Sequence, residues 1–193
     1  MNVTKYIKNH LVEINTILSS VSFDNLDKLA NEILSNNEMG KKLFFTGIGK
    51  NGHVASKAAS TFNSIGMPVF YLNPVDALHG DMGLIDDDDM ILAISKSGNT
   101  EELVLFLNNV NRRTDNIWLL HSNKKNDSMK YCNDEIFIEI KNEADHLNII
   151  PTVSISVYTI LMQSVACYIA EHKQLRVDNF VKNHPGGSLG KLK

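Results

Sequence analysis

The sequence predicts an α/β protein, a three-layer αβα sandwich on a five-stranded parallel sheet, with two helices ahead of the first strand. Short apolar runs alternate with longer segments of helical periodicity, the pattern of strands joined by helical crossovers. The runs have the length and β-rich content of strands buried on both faces. They are Lys42–Thr46, Pro68–Leu72, Met90–Ser95, Asn116–His121 and Glu135–Ile140.

Residues 1–38 are predicted to form the two N-terminal helices. Ser22 and Asp24 are candidate caps for the second helix, and Asn36–Asn37 is its candidate end. Apolar residues at helical spacing define the first helix through Tyr6, Ile7, Leu11, Ile14 and Leu18, and the second through Leu26, Leu29, Ala30 and Leu34.

The remaining helices are predicted within the core, which spans residues 39–175. Helical stripes cover Gly49–Ile65 and Thr100–Val110, and a long helix runs from Pro151 to His172. A tail of residues 176–193 follows. No linker, low-complexity tract or internal repeat interrupts the chain, so a single domain over residues 1–193 is expected.

Composition narrows the function classes. Hydrophobic residues make up 43% and charged residues 21% of the 193 residues, typical of a soluble globular domain. The net charge of −3 offers no field for a nucleic acid or an anionic membrane, so neither partner is expected. Polar residues interrupt the apolar stretch Val153–Ala170, which predicts a buried or interfacial helix and not a membrane span.

The cysteines and the N-terminus indicate the compartment. Cys132 and Cys167 lack metal-type or redox-type spacing, and Cys167 is predicted to be a small buried residue in an apolar run. The N-terminus lacks the apolar core of a signal peptide, so a cytoplasmic protein is expected. The acidic run Asp86–Asp89 is predicted to be a solvated turn, and no metal site is expected there or elsewhere.

The loop after the first strand, Thr46–His53, contains a G-x-G-x-x-G pattern between a strand and a helix. A dinucleotide site would also need an acidic residue at the end of the second strand, but the first carboxylate after it is Asp76. No organic cofactor is therefore expected. The glycines permit close approach to an anion, and Lys50 adds a charge; the alternative is a tight turn with a solvated lysine.

The loop after the third strand, Ser95–Glu102, is the second unusual segment. Hydroxyls at Ser95, Ser97 and Thr100, together with free amides at a helix N-terminus, would form a nest for one phosphate dianion. The alternative is that Thr100 only caps the helix, with glutamates in its first turn. The residues alone leave both interpretations open.

Four segments resemble motifs of known proteins. Ser95–Glu102 resembles the phosphate loop of sugar-isomerase (SIS) domains, and Gly49–His53 is similar to the G-K-S-G-H run of arabinose-5-phosphate isomerases. His79–Gly83 resembles their H-G-D-L-G segment, and Asn183–Gly190 their S-H-P-G-G-A-L-G ending. The order and spacing of the four segments match over nearly the whole chain.

The sequence departs from these motifs at three positions, none of which removes a candidate acid or base. Asn51 replaces a usual serine, Lys96 occupies a variable position, and Asn99 stands where an acid often appears. Larger family members continue into a pair of CBS modules. The chain ends at Lys193, so those nucleotide-sensing modules are expected to be absent.

The resemblance implies the SIS fold and the interconversion of ribulose 5-phosphate and arabinose 5-phosphate through an enediol. Such a reaction needs a carboxylate or imidazole base, an acid, and donors for the developing enediolate. By motif position, the catalytic residues are expected to be Lys50, Glu102, Glu143 and His184. The residues expected to bind the substrate are Gly49, His79, Ser95, Ser97, Gly98 and Thr100.

Structural alternatives remain for three of these residues: Glu102 as a helix-surface carboxylate, His79 as a donor to loop backbone, and His184 as part of a folded tail. C-terminal segments of this fold often complete a neighbouring subunit's site. The resemblance therefore implies a homo-oligomer, commonly a tetramer, with shared active sites. Its product is expected to enter Kdo and lipopolysaccharide synthesis or a capsule pathway.

Two other functions stay open. One is another SIS isomerase, acting on a phosphoheptose or a 6-phospho-3-hexulose, which would share the phosphate loop. The other is a non-catalytic SIS module that senses a phosphosugar, as in some transcriptional regulators. No basic recognition helix is visible near the N-terminus, and the candidate acid and base residues are retained.

Overall fold

The structure is a computed structural model that describes residues 2–188 and 190. The helices are α1 Val3–Ser20, α2 Asp24–Glu38, α3 Lys50–Ser64, α4 Pro74–Leu78, α5 Glu101–Val110, α6 Val153–His172 and α7 Val177–Lys182. The strands are β1 Leu43–Gly47, β2 Val69–Leu72, β3 Met90–Ile94, β4 Ile117–His121 and β5 Asp134–Phe137.

The five strands form one parallel sheet in the order β2-β1-β3-β4-β5. The chain leaves β1 towards β2 on one side and then crosses to β3 on the other side. Gly47 at the end of β1 pairs with Ile94 at the end of β3. In an open parallel sheet, this reversal leaves a crevice beyond the carboxyl ends of the two strands.

Helices cover both faces of the sheet, which confirms the predicted three layers. Phe45 and Leu92 face the layer of α1, α2, α3 and α6. Phe44 and Ile91 face the layer that contains α4 and α5. Neighbouring residues of a strand thus enter opposite cores, as the pleat requires. Because β1, β3 and β4 are buried over their whole length, the sequence shows continuous apolar runs there.

Two short helices, α4 and α7, were absent from the sequence prediction. Helix α4 begins after Asn73, whose side chain accepts from the amide of Val75, with Pro74 in the first position. Both residues are usual at a helix start, but five residues are too few for a visible apolar period. The predicted fifth strand is also shorter than expected, because pairing with β4 ends at Phe137.

The helix α2 buries its predicted apolar stripe, whereas α1 does so only in its second half. Ile7 and Leu11 are 55% and 63% exposed, while Ile17 lies in the core. The prediction that Cys167 is buried is wrong, because it lies on the solvent-facing side of α6. Burial raises the pKa of the other thiol, Cys132, to about 12, which disfavours the reactive thiolate.

The helix α6 is long and apolar enough to cross a membrane by length and composition alone. Half of its most apolar 18-residue stretch is buried. Val157, Leu161 and Val165 belong to the larger core. This is the character of the core helix of a globular domain, which agrees with the interpretation of this segment as buried or interfacial.

The acidic run is solvated only in part. Asp86, Asp87 and Asp88 are exposed, but Asp89 is 2% exposed. Its carboxylate accepts from the backbone amides of Lys42 and Asp86, both at 2.8 Å. It therefore ties the start of β1 to the turn before β3, and the prediction of a solvated turn is wrong for this residue.

We expect Asp89→Ala to lower the free energy of unfolding by roughly 2–3 kcal/mol, because two backbone amides lose a charged acceptor. Urea unfolding followed by circular dichroism would measure the change. The control is Asp87→Ala, whose exposed side chain makes no hydrogen bond within the described residues; its effect should stay within about 0.5 kcal/mol. Equal effects of the two substitutions would contradict the assigned role of Asp89.

Candidate active site

The two unusual loops of the sequence lie side by side at the crevice. The loop after β1 leads through Gly49 into α3, and the loop Ser95–Thr100 leads from β3 into α5. Since β1 and β3 are hydrogen-bonded neighbours, both helix N-termini begin at the same edge of the sheet. The positive ends of two helix dipoles therefore lie at this edge.

The loop Ser95–Thr100 is shaped by its own hydroxyls. The buried Ser95 Oγ accepts from the amide of Gly98 at 3.1 Å, and Ser97 Oγ accepts from the amide of Asn99 at 3.2 Å. Each hydroxyl uses a lone pair in this bond and keeps its proton free to donate. The two protons are therefore available to an anionic ligand.

Thr100 is the N-cap residue of α5, yet its side chain makes no capping hydrogen bond. Within the described residues, the backbone amides of Thr100, Glu101 and Glu102 also donate to no protein acceptor. Thr100 thus occupies the predicted cap position, with Glu101 and Glu102 in the first turn, but its hydroxyl does not perform the capping. A free hydroxyl and free amides at a helix N-terminus suit an anion.

The turn at Gly98 requires glycine for two reasons. Its φ of +63° lies in the left-handed region, and a Cβ there would stand 2.7 Å from side-chain atoms of Asn126. Ser128 holds the Gly98 carbonyl oxygen with its amide at 3.1 Å and its hydroxyl at 2.7 Å. The loop is thus fixed in shape before any ligand binds.

The loop after β1 combines tight packing with one exposed cation. A Cβ at Gly52 would stand 2.7 Å from the Gly47 oxygen and 2.8 Å from the Tyr71 hydroxyl, so this glycine lets α3 pack closely on the sheet. Gly49 has a φ of +57°, and Lys50 is the exposed first residue of α3. The lysine therefore stands at the crevice beside the phosphate loop.

Glu102 and His79 both lack a hydrogen-bonded partner for their side chains in residues 2–188 and 190. Glu102 is exposed in the first turn of α5, directly after the phosphate loop. His79 follows α4, which packs against α5. The interpretation of His79 as a donor to loop backbone is therefore wrong, while Glu102 remains compatible with either a surface or a site role.

Glu143 is the most heavily engaged carboxylate of the site. Its side chain is 1% exposed. Oε1 accepts from Lys96 Nζ at 2.6 Å and from Ser154 Oγ at 2.5 Å, and Oε2 accepts from the amides of Thr152 and Ser154 at 2.9 and 3.1 Å. Burial alone would raise its pKa, but these donors outweigh burial and lower the pKa below the ordinary value.

Lys96 is a site residue that the sequence motifs marked only as a variable position. It belongs to the phosphate loop, and its ammonium pairs with Glu143, a residue 47 positions later in the chain. Its backbone is also held, because the amide of Ser122 donates to its carbonyl at 3.0 Å. No sequence signal joins the two partners, since only the sheet brings the ends of β3 and β5 to one edge.

His184 lies far from the rest of the predicted site. The neighbouring Asn183 donates to the carbonyl oxygen of Ser64, the last residue of α3, at 3.1 Å. Lys50 begins the same helix, so about 21 Å of helix separates this contact from the crevice. Within one protomer, the structure brings Lys50, Glu102 and Glu143 to one edge of the sheet and leaves His184 near the opposite edge.

The tail around His184 is ordered by α7. The His184 ring stacks on Phe180 with centroids 4.1 Å apart, and its Nδ1 lies 2.8 Å from the Phe180 carbonyl oxygen. A carbonyl only accepts, so Nδ1 donates, and Nε2 makes no hydrogen bond to any residue that the structure describes. Of the predicted tail 176–193, residues 189 and 191–193 lie outside the described part.

Comparison with known proteins agrees with this geometry. The family model described as SIS domain matches residues 39–168. Arabinose 5-phosphate isomerase KdsD of Francisella tularensis is 32% identical, over 99% of this chain and 60% of its own length. KdsD of Pseudomonas aeruginosa is 35% identical, over 78% of this chain and 46% of its own length. The chain thus spans about half to three fifths of these relatives.

Solved structures extend the likeness to three dimensions. The protein c3406 of Escherichia coli CFT073, in complex with arabinose 5-phosphate, shares 29% identity over 95% of both chains, with a TM-score of 0.84. A putative phosphosugar isomerase involved in capsule formation, from Bacteroides fragilis, shares 25% identity over 98% of this chain and 97% of its own, with a TM-score of 0.86. With a matching family model over residues 39–168 and this fold, the chain belongs to the SIS domain family.

Proposed function

We propose that the protein is an aldose–ketose isomerase that interconverts D-ribulose 5-phosphate and D-arabinose 5-phosphate in the cytoplasm. The observation that carries the proposal is the preassembled loop Ser95–Thr100, with free hydroxyl protons and free amides at the crevice. It fits one phosphate group. The names of the curated relatives and the arabinose 5-phosphate bound to a structural neighbour support the pentose.

Phosphate binding would place the sugar carbons over the crevice, where the cations and carboxylates stand. Glu102 follows the loop directly and carries no competing hydrogen bond in the described chain, so we assign it the proton abstraction. Lys50 would stabilise the negative charge of the enediolate from the neighbouring loop. In this scheme the proton moves between adjacent carbons and no electrons leave the substrate.

Glu143 is better suited to positioning than to taking a proton. A base needs a lone pair that can reach the substrate, and the carboxylate oxygens of Glu143 already accept from Lys96, Thr152 and Ser154. The same bonds cap the N-terminus of α6 and fix the Lys96 ammonium in the phosphate loop. We therefore assign Glu143 the task of holding Lys96 in the crevice.

His184 would serve the site of a neighbouring subunit. Its distance from the crevice within one protomer supports a shared site, and an imidazole whose Nε2 bonds to none of the described residues has an acid–base function to contribute. We propose a homotetramer with sites completed in this way. The proposal rests on the tail position and on the family, and the mixing experiment below tests it.

The substrate is tested first. A coupled assay of the purified protein should show isomerisation of ribulose 5-phosphate and much slower turnover of sedoheptulose 7-phosphate and fructose 6-phosphate. Preferred turnover of either larger sugar would replace the pentose with the corresponding SIS substrate. Binding of these sugars without turnover would favour a sensor.

The phosphate loop is tested by Ser97→Ala and Thr100→Ala. Each should raise KM by roughly 10- to 150-fold with little change in kcat, since a phosphate contact worth about 1.5–3 kcal/mol is shared by ground and transition states. Thr16→Ala on α1 is the control, because among residues 2–188 and 190 its hydroxyl bonds to the Val12 carbonyl alone. Unchanged KM in both loop variants would place the phosphate elsewhere.

The two glutamates are separated by comparing Glu102→Gln with Glu143→Gln. Loss of the base should lower kcat by about 10²–10⁴ in Glu102→Gln without changing thermal stability. Glu143→Gln should lower both activity and stability, because Lys96 loses its charged partner and one donor loses its acceptor. A stable Glu143→Gln protein with a large loss of kcat alone would reverse our assignment.

The stability contributed by Glu143 should depend on pH in a defined direction. Its pKa in the folded protein lies below the ordinary 4.5, so its contribution is fully present above about pH 4.5 and is lost as the pH falls through the folded pKa. Urea unfolding from pH 7 down to pH 3 should show the difference between the unaltered protein and Glu143→Gln shrinking only below about pH 4.5. A difference that instead grows at low pH would contradict the ionised carboxylate.

Mixing tests the shared site. Glu102→Gln chains and His184→Ala chains should each be inactive, whereas co-refolded equal mixtures should regain up to about a quarter of the sites, because a symmetric interface pairs residues of different chains. Size-exclusion chromatography with light scattering would confirm the mixed tetramer. Failure to regain activity in verified mixed oligomers would place both residues in one chain.

A further inference from the structure

A buried histidine stands at the end of β4, beneath the segment Asn123–Tyr131 that supports the phosphate loop. His121 is fully buried. Its Nε2 lies 2.7 Å from Glu135 Oε2 on β5, and since a carboxylate only accepts, Nε2 donates. Its Nδ1 lies 3.0 Å from the Asn123 carbonyl oxygen and 3.3 Å from Asn126 Nδ2. One imidazole thus joins β4 and β5 to the supporting segment.

The two asparagines carry this contact to the phosphate loop. Asn123 Nδ2 donates to the Ser97 carbonyl oxygen at 3.0 Å. Asn126 donates to the Asn123 carbonyl oxygen at 2.7 Å, and its side chain fills the space where a Cβ of Gly98 would stand. Ser97 and Gly98 are therefore positioned by Asn123 and Asn126, and both asparagines contact the His121 ring.

We infer that His121 is a positioning residue of the phosphate loop, acting through Asn123 and Asn126 and anchored by Glu135. It makes no hydrogen bond to a loop residue in the described chain, so it sets the loop conformation and not the chemistry. A packing histidine would need only apolar neighbours, whereas both ring nitrogens of His121 face polar atoms of the supporting segment or of β5. This inference rests on the proposed function for two points, the binding of phosphate by the loop Ser95–Thr100 and the identity of the sugar.

The first test is His121→Phe, which keeps an aromatic ring beside Phe137 and removes both polar contacts. The dissociation constant of inorganic phosphate, measured by calorimetry, and KM for ribulose 5-phosphate should both rise by about five- to tenfold. The value of kcat should change by less than about twofold. A KM effect without a kcat effect is what loop positioning predicts and general destabilisation does not.

The second test is Asn123→Ala, which removes the hydrogen bond to the Ser97 carbonyl. Asn123 is half-exposed, so this variant should fold even if His121→Phe does not. It should weaken phosphate binding by a similar factor. The double variant should lose less than the product of the two single losses, because both act through one contact. Independent effects that multiply fully would contradict the coupling.

Thr114→Val is the matched control, since its buried hydroxyl donates to the Asp89 carbonyl near the opposite end of β4. It should lower thermal stability and leave phosphate affinity unchanged. The inference is overturned if His121→Phe behaves like Thr114→Val, if a folded Asn123→Ala retains full phosphate affinity, or if the unaltered protein does not bind phosphate. Phosphate binding without pentose turnover would overturn the proposed function alone and leave this inference standing.

Discussion

Burial of the central strands on both faces is the constraint that organises this molecule. No charged or polar side chain can be accommodated along β3 without a partner, and its residues Met90–Ile94 are accordingly apolar. Polar groups must therefore gather where the strands end. The reversal of strand order between β1 and β3 opens a crevice at that edge, and two loops enter helices there. Sheet topology thus decides where chemistry is possible.

Within that edge, an ion pair between a buried carboxylate and a half-buried lysine connects elements that are remote in the chain. Glu143 joins Lys96 of the phosphate loop to the first turn of α6. Such a pair contributes little net stability compared with apolar packing, but breaking one half of it is costly. The arrangement therefore specifies a geometry more than it stabilises the fold. The hydrogen bond between His121 and Glu135 likewise joins two elements, β4 and β5.

Much of this architecture could be predicted from the sequence, because continuous apolar runs and helical stripes record burial directly. The five strands and α2 follow from such local patterns, whereas the phosphate-binding interpretation of Ser95–Glu102 depended on a resemblance to SIS domains. The errors arise where burial depends on distant partners. Ile7 and Leu11 have helical spacing but no covering layer, and Asp89 lies in an acidic run yet accepts from two backbone amides. The roles of Lys96 and His121 depend on contacts 47 and 14 residues away, which no local pattern contains.

The fixed turn at Gly98 has a consequence for the energetics of ligand capture. Because the loop is already ordered by Asn126 and Ser128, its conformational entropy is lost during folding and not during binding. An anion then binds a loop that is already ordered, so the free energy of binding includes no cost for ordering the loop. The reverse also holds by linkage: an anion that binds only the folded loop shifts the folding equilibrium towards the native state. If the proposed phosphosugar is the substrate, it would also act as a folding ligand, and the abundance of the protein would respond to its supply.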